Sequence, residues 1–191
     1  MAIGIKLDDF RANVKELARP NRFLLSIPSP PIGIAGFNFD ESMQYHVRSS
    51  SQPGRTLGDV TNLYWQGMNY KIAGDPTYDD INIIFLNNVN YNVKELFERW
   101  MDGIANSVNN VRLSHNDYKA ILKIDQLGKQ QNVIATYYIH GAWPKSLEPI
   151  EMAQETVDAV EEFTITFSID SWSNNLSPGD GVGTVLKGTT A

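Results

Sequence analysis

A mainly β chain, two packed antiparallel sheets forming a small barrel or sandwich with one flanking helix, is the fold class these 191 residues predict. Three observations carry that expectation. Several runs alternate apolar and polar side chains at period two. Those runs are rich in β-branched and aromatic residues and end at Gly, Pro, Asn or Asp. One interior segment alone follows strong helical spacing.

Taken in order, Leu7, Phe10, Val14 and Leu17 stand at spacings of three, four and three, which predicts a short N-terminal helix with Asp8 and Asp9 favourably near its start. Ala18-Arg19-Pro20-Asn21 ends it. Phe23, Leu25 and Ile27 alternate as a strand until Pro28-Ser29-Pro30-Pro31 removes backbone donors. Met43, Tyr45 and Val47 predict a second extended run over about 43–50, broken by the serine cluster and Gln52-Pro53-Gly54. Residues 63–73 and 78–86, separated by Gly74-Asp75-Pro76-Thr77, read as strand, turn, strand. Over 91–104, Val93, Leu96, Phe97, Trp100, Met101 and Ile104 share one helical face, and Gly103 marks where it frays. Strands follow near 118–127, 132–142 and 161–172. The last is the cleanest, with Phe163, Ile165, Phe167 and Ile169 on one face and Thr164, Thr166, Ser168 and Asp170 on the other. From Ser173 the composition turns to Gly, Ser, Asn and Thr, so residues 1–172 are expected as one domain and 173–191 as an arm.

Composition narrows the function. A chain this long can bury roughly 70% of its unfolded surface, so it needs neither metal nor disulfide for stability. No stretch approaches the roughly 18 consecutive apolar residues of a membrane span, so no stable membrane association is expected. Zero cysteines exclude thiol nucleophiles and thiolate metal sites, and fit a reducing cytoplasm. The formal charge of −6 has the wrong sign for gripping phosphates, though it suits a surface past which DNA must slide.

Motifs for chemistry are absent. His46, His115 and His140 lie far apart, at no metal-binding spacing, and there is no P-loop, nucleophile elbow or dinucleotide fingerprint. Asp79 with Asp80, and Glu161 with Glu162, are adjacent on strands and so point to opposite faces, a poor catalytic dyad. Asp75 and Asp79 superficially suggest calcium, but the spacing departs from an EF-hand loop and a turn with capping Asp is favoured. No enzyme activity and no cofactor are expected. Among the four tryptophans, Trp100 belongs to the helix's apolar face and Trp172 closes a strand, which leaves Trp65 and Trp143 for core or subunit interface.

Four strings, in order, resemble the tail tube family of contractile-tailed bacteriophages. They are Ala18-Arg19-Pro20-Asn21-Arg22-Phe23, then Gly74-Asp75-Pro76-Thr77-Tyr78-Asp79-Asp80, then Gly141-Ala142-Trp143-Pro144, and finally the strand that closes on Asp170-Ser171-Trp172. The resemblance spans roughly 18–172. The proline-rich stretch at 28–34 and the arm are longer than the family core. It implies a structural subunit of the virion tail, assembled in the host cytoplasm, whose hexameric rings stack into a hollow tube that conducts DNA during sheath contraction. Implied partners are further copies of itself, the tail sheath protein, the baseplate tube initiator, the tail terminator and DNA in transient passage. Six copies at −6 would carry −36 per ring, enough, if turned inward, to repel phosphates within about 8 Å at physiological salt. Expected assembly contacts are Leu7 and Phe10, the loop with Gln52, Pro53 and Arg55, and Val182, Val185 and Leu186 in the arm. Competing readings are a tube initiator or type VI secretion tube subunit, and a monomeric small-ligand β-barrel.

Overall fold

The computed structural model describes residues 7, 10, 17–106, 108–150, 152–155 and 159–176. Its strands are β1 (Phe23–Ser29), β2 (Val47–Ser50), β3 (Arg55–Leu57), β4 (Thr61–Trp65), β5 (Met68–Ile72), β6 (Pro76–Tyr78), β7 (Ile81–Leu86), β8 (Ala120–Leu127), β9 (Val133–Leu147), β10 (Glu162–Ser168) and β11 (Ser171–Leu176). One long helix, Asn92–Ile104, and two single turns, Glu41–Gln44 and His115–Tyr118, complete the described elements. The chain is mainly β, and its strand pairs are antiparallel.

The main path of strands runs β1-β8-β9-β10-β7-β2, with β11 also lying along β9. Strand β9 is shared between two sheets. Its first part pairs with β8 and β11, as in Ile139 opposite both Leu122 and Trp172. Its last part pairs with β10, as in Leu147 opposite Ile165. Because among the described residues the path ends at β1 and β2 without their pairing, the sheets there stay open: of barrel or sandwich, the closed barrel is not formed by them.

The change of sheet happens at Gly141, whose φ of 66° lies in the left-handed region that side chains disfavour. A Cβ there would overlap the Asp170 carboxylate. Asp170 in turn accepts from Lys119 Nζ at 2.6 Å, and its N–H donates to the His140 carbonyl at 3.1 Å. The break between β10 and β11 is thus pinned onto the bend in β9.

Both sheets and the long helix bury one shared core. Leu25, Leu122, Ile124 and Ile139 come from one sheet, Ile83, Phe85, Ile165 and Phe167 from the other, and Val93, Phe97 and Trp100 from the helix. The Phe97 ring lies 4.9 Å from Phe85 and 5.9 Å from Phe167. The buried Trp100 indole donates to the Tyr118 carbonyl at 2.8 Å, so its one polar atom is satisfied. At the helix start, Asn88 Oδ1 accepts from the Asn92 N–H at 3.1 Å and supplies the cap that left-handed Tyr91 does not.

Several boundaries differ from expectation. Residues 41–44 form a helical turn, because the Asp40 carbonyl takes the Met43 N–H at 2.9 Å, and Tyr45 is exposed, so extended pairing begins only at Val47. The run 63–73 is a hairpin, reversing at Gln66 and Gly67 with φ of 48° and 83°. The expected turn at 74–77 does not reverse the chain, since Pro76 and Thr77 already pair with β3. The run 161–172 is two strands in two sheets, and pairing with β9 continues past Trp172 into the segment read as an arm. The expected N-terminal helix lies outside the described residues apart from Leu7 and Phe10, with Leu17 non-helical.

Replacing Gly141 by Ala is expected to cost about 1–3 kcal/mol, the typical cost of a non-glycine residue held at this kind of backbone angle. Urea denaturation of the variant measures it, and an unchanged midpoint would show that the bend relaxes freely.

Candidate assembly surfaces

The ladder of β3 with β6, Arg55 opposite Tyr78 to Leu57 opposite Pro76, continues after one interruption into that of β4 with β5, Thr61 opposite Ile72 to Trp65 opposite Met68. Residues 55–78 are therefore one long two-stranded arm. At the interruption the backbones cross closely: the Gly58 N–H donates to the Asp75 carbonyl at 2.8 Å, and a Cβ on Gly74 would lie 2.6 Å from the Asp59 carbonyl oxygen. Thr77 Oγ1 donates to the Thr56 carbonyl at 3.3 Å. The roles of Gly74, Asp75 and Thr77 are thus in backbone geometry.

Every residue of β4 and β5 is exposed. Tyr64, Trp65, Met68 and Tyr70 are 73%, 75%, 75% and 68% accessible, in an arm that also exposes Leu57, Val60 and Leu63. By its register Leu63, Trp65, Met68, Tyr70 and Ile72 share one face of the hairpin, with Tyr64 on the other. A two-stranded hairpin alone is marginal in water, and contiguous apolar exposure of this kind marks an interaction surface. Trp65 is therefore not a core residue.

At the root of the arm, Trp172 Nε1 donates to the Gly54 carbonyl at 3.0 Å, and the Arg55 guanidinium lies 5.8 Å from the Trp172 ring centroid. Gln52 and Arg55 are exposed, whereas Pro53 is buried against the chain itself. Asp80 takes Lys145 Nζ at 2.7 Å, and Asp79 is exposed beside Gly54. Pro144 is fully buried, while Trp143 meets Tyr118 edge-on at 6.0 Å. Phe23 opens β1 opposite Gln126, and Arg19, Pro20 and Asn21 lie exposed before it, with the Arg19 carbonyl accepting from Gln126 Nε2 at 2.8 Å. Leu7 and Phe10 are exposed, and Val182, Val185 and Leu186 lie outside the described residues.

Six of the expected residues thus fall into two structural groups. Asp170 and Gly141 lock the bend in β9, while Gly74, Asp75, Thr77 and Trp172 shape the arm and its root. The sequence pattern does not single out the arm's tip, because aromatic and β-branched residues run on through Gln66-Gly67, where a polar residue before glycine is the one hint of a reversal. Also unforeseen is the contact at Glu161, which accepts from the Tyr91 hydroxyl at 3.2 Å and from Asn87 Nδ2 at 3.1 Å. That hydrogen bond, and then the carboxylate's charge, hold the Tyr91 phenol above its ordinary pKa. Among the described residues, no three His, Asp or Glu side chains gather in a way that could hold a metal ion.

Residues 18–175 match the family described as phage tail tube protein. A tail tube protein of Serratia phage KSP90 is 24% identical over 149 residues, 76% of this chain and 82% of that protein. Among solved structures, the tube terminating cap of the anti-feeding prophage superposes with a TM-score of 0.63 at 17% identity, covering 93% of this chain and 100% of that one. A chain of the sheath-tube complex of an extracellular contractile injection system gives 0.55 at 18% identity, covering 90% and 98%. At these identities the two structures show a shared fold.

Exchanging Trp65 and Tyr70 for Ser should leave the stability of the isolated subunit within about 0.5 kcal/mol, since neither ring is buried in it. Phe97→Ala should cost about 3–5 kcal/mol by emptying the core. Denaturant titration compares them, and a large loss in the first variant would mean that the arm belongs to the fold.

Proposed function

Because the chain belongs to the phage tail tube protein family, and so is a structural, non-enzymatic subunit of the virion tail, we propose that six copies close a ring and that rings stack into the hollow tube through which DNA passes. The observation that carries this reading is the apolar arm 55–78, a surface that a free monomer has no reason to expose. In the tube its aromatic tip packs on the adjacent ring. The open edges at β1 and β2 supply the lateral joins, and once six copies close, those edges are spent.

A wall for DNA must not hold phosphate. On the face of β1, β8, β9 and β11 turned away from the core stand Ser26, Tyr138 and Ser173, with Thr136 and Asn175 beside them. Its Lys123 is held by Asp125 at 2.6 Å, and Asp125 also accepts from Thr136 Oγ1 at 2.6 Å. Within these paired strands the face thus has a neutralised lysine and many hydroxyls, which fits passage without adhesion. Neutralisation on this face, more than an excess of carboxylates, is what keeps phosphate moving.

The sheath protein around the tube, and a baseplate initiator and a terminator at its ends, are the proposed partners, in keeping with similarity to a chain of a sheath-tube complex and to a tube terminating cap. Among the described residues no helix is long and apolar enough to cross a membrane.

Negative-stain microscopy of the purified chain should show six-membered rings or tubes, and a protein that stays monomeric at every concentration and salt would end this reading. Trp65→Ser combined with Tyr70→Ser, two side chains on the same face, should stay folded yet raise the concentration needed for tubes at least tenfold. Normal tubes from that variant would remove the arm from the ring-to-ring contact.

A further inference from the structure

Strand β9 carries patches of opposite charge at its two ends. Ahead of its start, the turn 128–132 and the segment 17–22 enclose a hollow of about 500 Å³ lined by Arg19, Arg22 and Lys129 together with Leu17 and Ile134. Arg22 donates to the Gly128 carbonyl at 3.0 Å, which holds its guanidinium in the wall. Leu17 and Ile134 are 74% and 37% accessible, so the basic rim surrounds open aliphatic surface.

Beyond its end, the described residues of 148–162 include Glu148, Glu155, Glu161 and Glu162 and no Lys or Arg. Glu161 is engaged by Tyr91 and Asn87, and Glu162 by Arg48. Glu148 and Glu155 remain exposed, with no ion pair to any described residue. Between them Met152 is 78% accessible, and Val160 is 68% accessible. This patch therefore matches the first in kind, aliphatic surface within charge, and opposes it in sign.

We propose that the acidic β9–β10 loop of one copy seats in the basic hollow of the next copy, with Glu148 and Glu155 facing Arg19 and Arg22, and Met152 and Val160 covering Leu17 and Ile134. This rests on the tube reading and names part of the surface that joins copies end to end. The two patches lie at opposite ends of a 15-residue strand and share no lining residue, so one chain does not join them within itself. Between copies they form a head-to-tail contact, the class that propagates into a filament. Two like loops would repel, which sets the polarity of stacking.

The test is a charge exchange. Arg19→Glu and Glu155→Arg, both at exposed positions, should each raise the concentration needed for tubes at least tenfold while leaving the thermal melt of the subunit unchanged. An equimolar mixture of the two single variants should recover tubes, because each supplies the partner that the other lacks, and the double variant should recover them alone. Higher salt should weaken the wild-type contact and leave the melt in place. Tubes from either single variant at the wild-type concentration, or failure of both the mixture and the double variant to recover them, overturn the contact while the tube reading stands. A wild-type chain that forms no tubes removes the reading beneath it.

Discussion

Strand β9 has to belong to two sheets at once, and most of the architecture follows from how it does so. A continuous strand cannot bend sharply and keep both ladders unless one residue leaves the ordinary β region, and Gly141 does this at φ 66°. The vacancy above its Cα is filled by the Asp170 carboxylate, and the Lys119 ammonium neutralises that group. The partner strand must break at the same level, so β10 ends at Ser168 and β11 begins at Ser171 in the other sheet. Glycine, aspartate and lysine here hold a corner together.

The same economy explains why motifs that look chemical do no chemistry. Gly74 permits two backbones to cross, Asp75 takes the Gly58 N–H through its carbonyl, and Trp172 ties the root of the arm to Gly54. Their side chains or backbones are occupied inside the subunit. What the subunit offers outward is surface: an apolar arm, open sheet edges and two charged patches at the ends of one strand. A wall subunit needs contacts of this kind, complementary to its neighbours and stable without a ligand.

The residues that carry stability are distinct from those of the proposed assembly arm. The helix and both sheets share a core around Phe85, Phe97, Trp100 and Phe167, with no contribution from the arm 55–78 beyond Tyr78 at its base. The arm can therefore meet a neighbour without drawing on the packing that keeps each copy folded.

Residue order alone determined what repeats locally. Burial of Phe163, Ile165, Phe167 and Ile169 follows the period of a strand, and burial of Val93, Leu96, Phe97 and Trp100 follows that of a helix, because each pattern depends only on which side of one element faces the core. Tertiary structure decided where chains reverse or change partners. Gln66-Gly67 only hints at a reversal, Pro76 could have sat in a turn, and nothing between Ser168 and Ser171 says that the next strand joins another sheet. Those choices are settled by non-local neighbours: the carboxylate that fits over Gly141, the backbone that approaches Gly74, and the ladder that accepts Trp172 opposite Ile139.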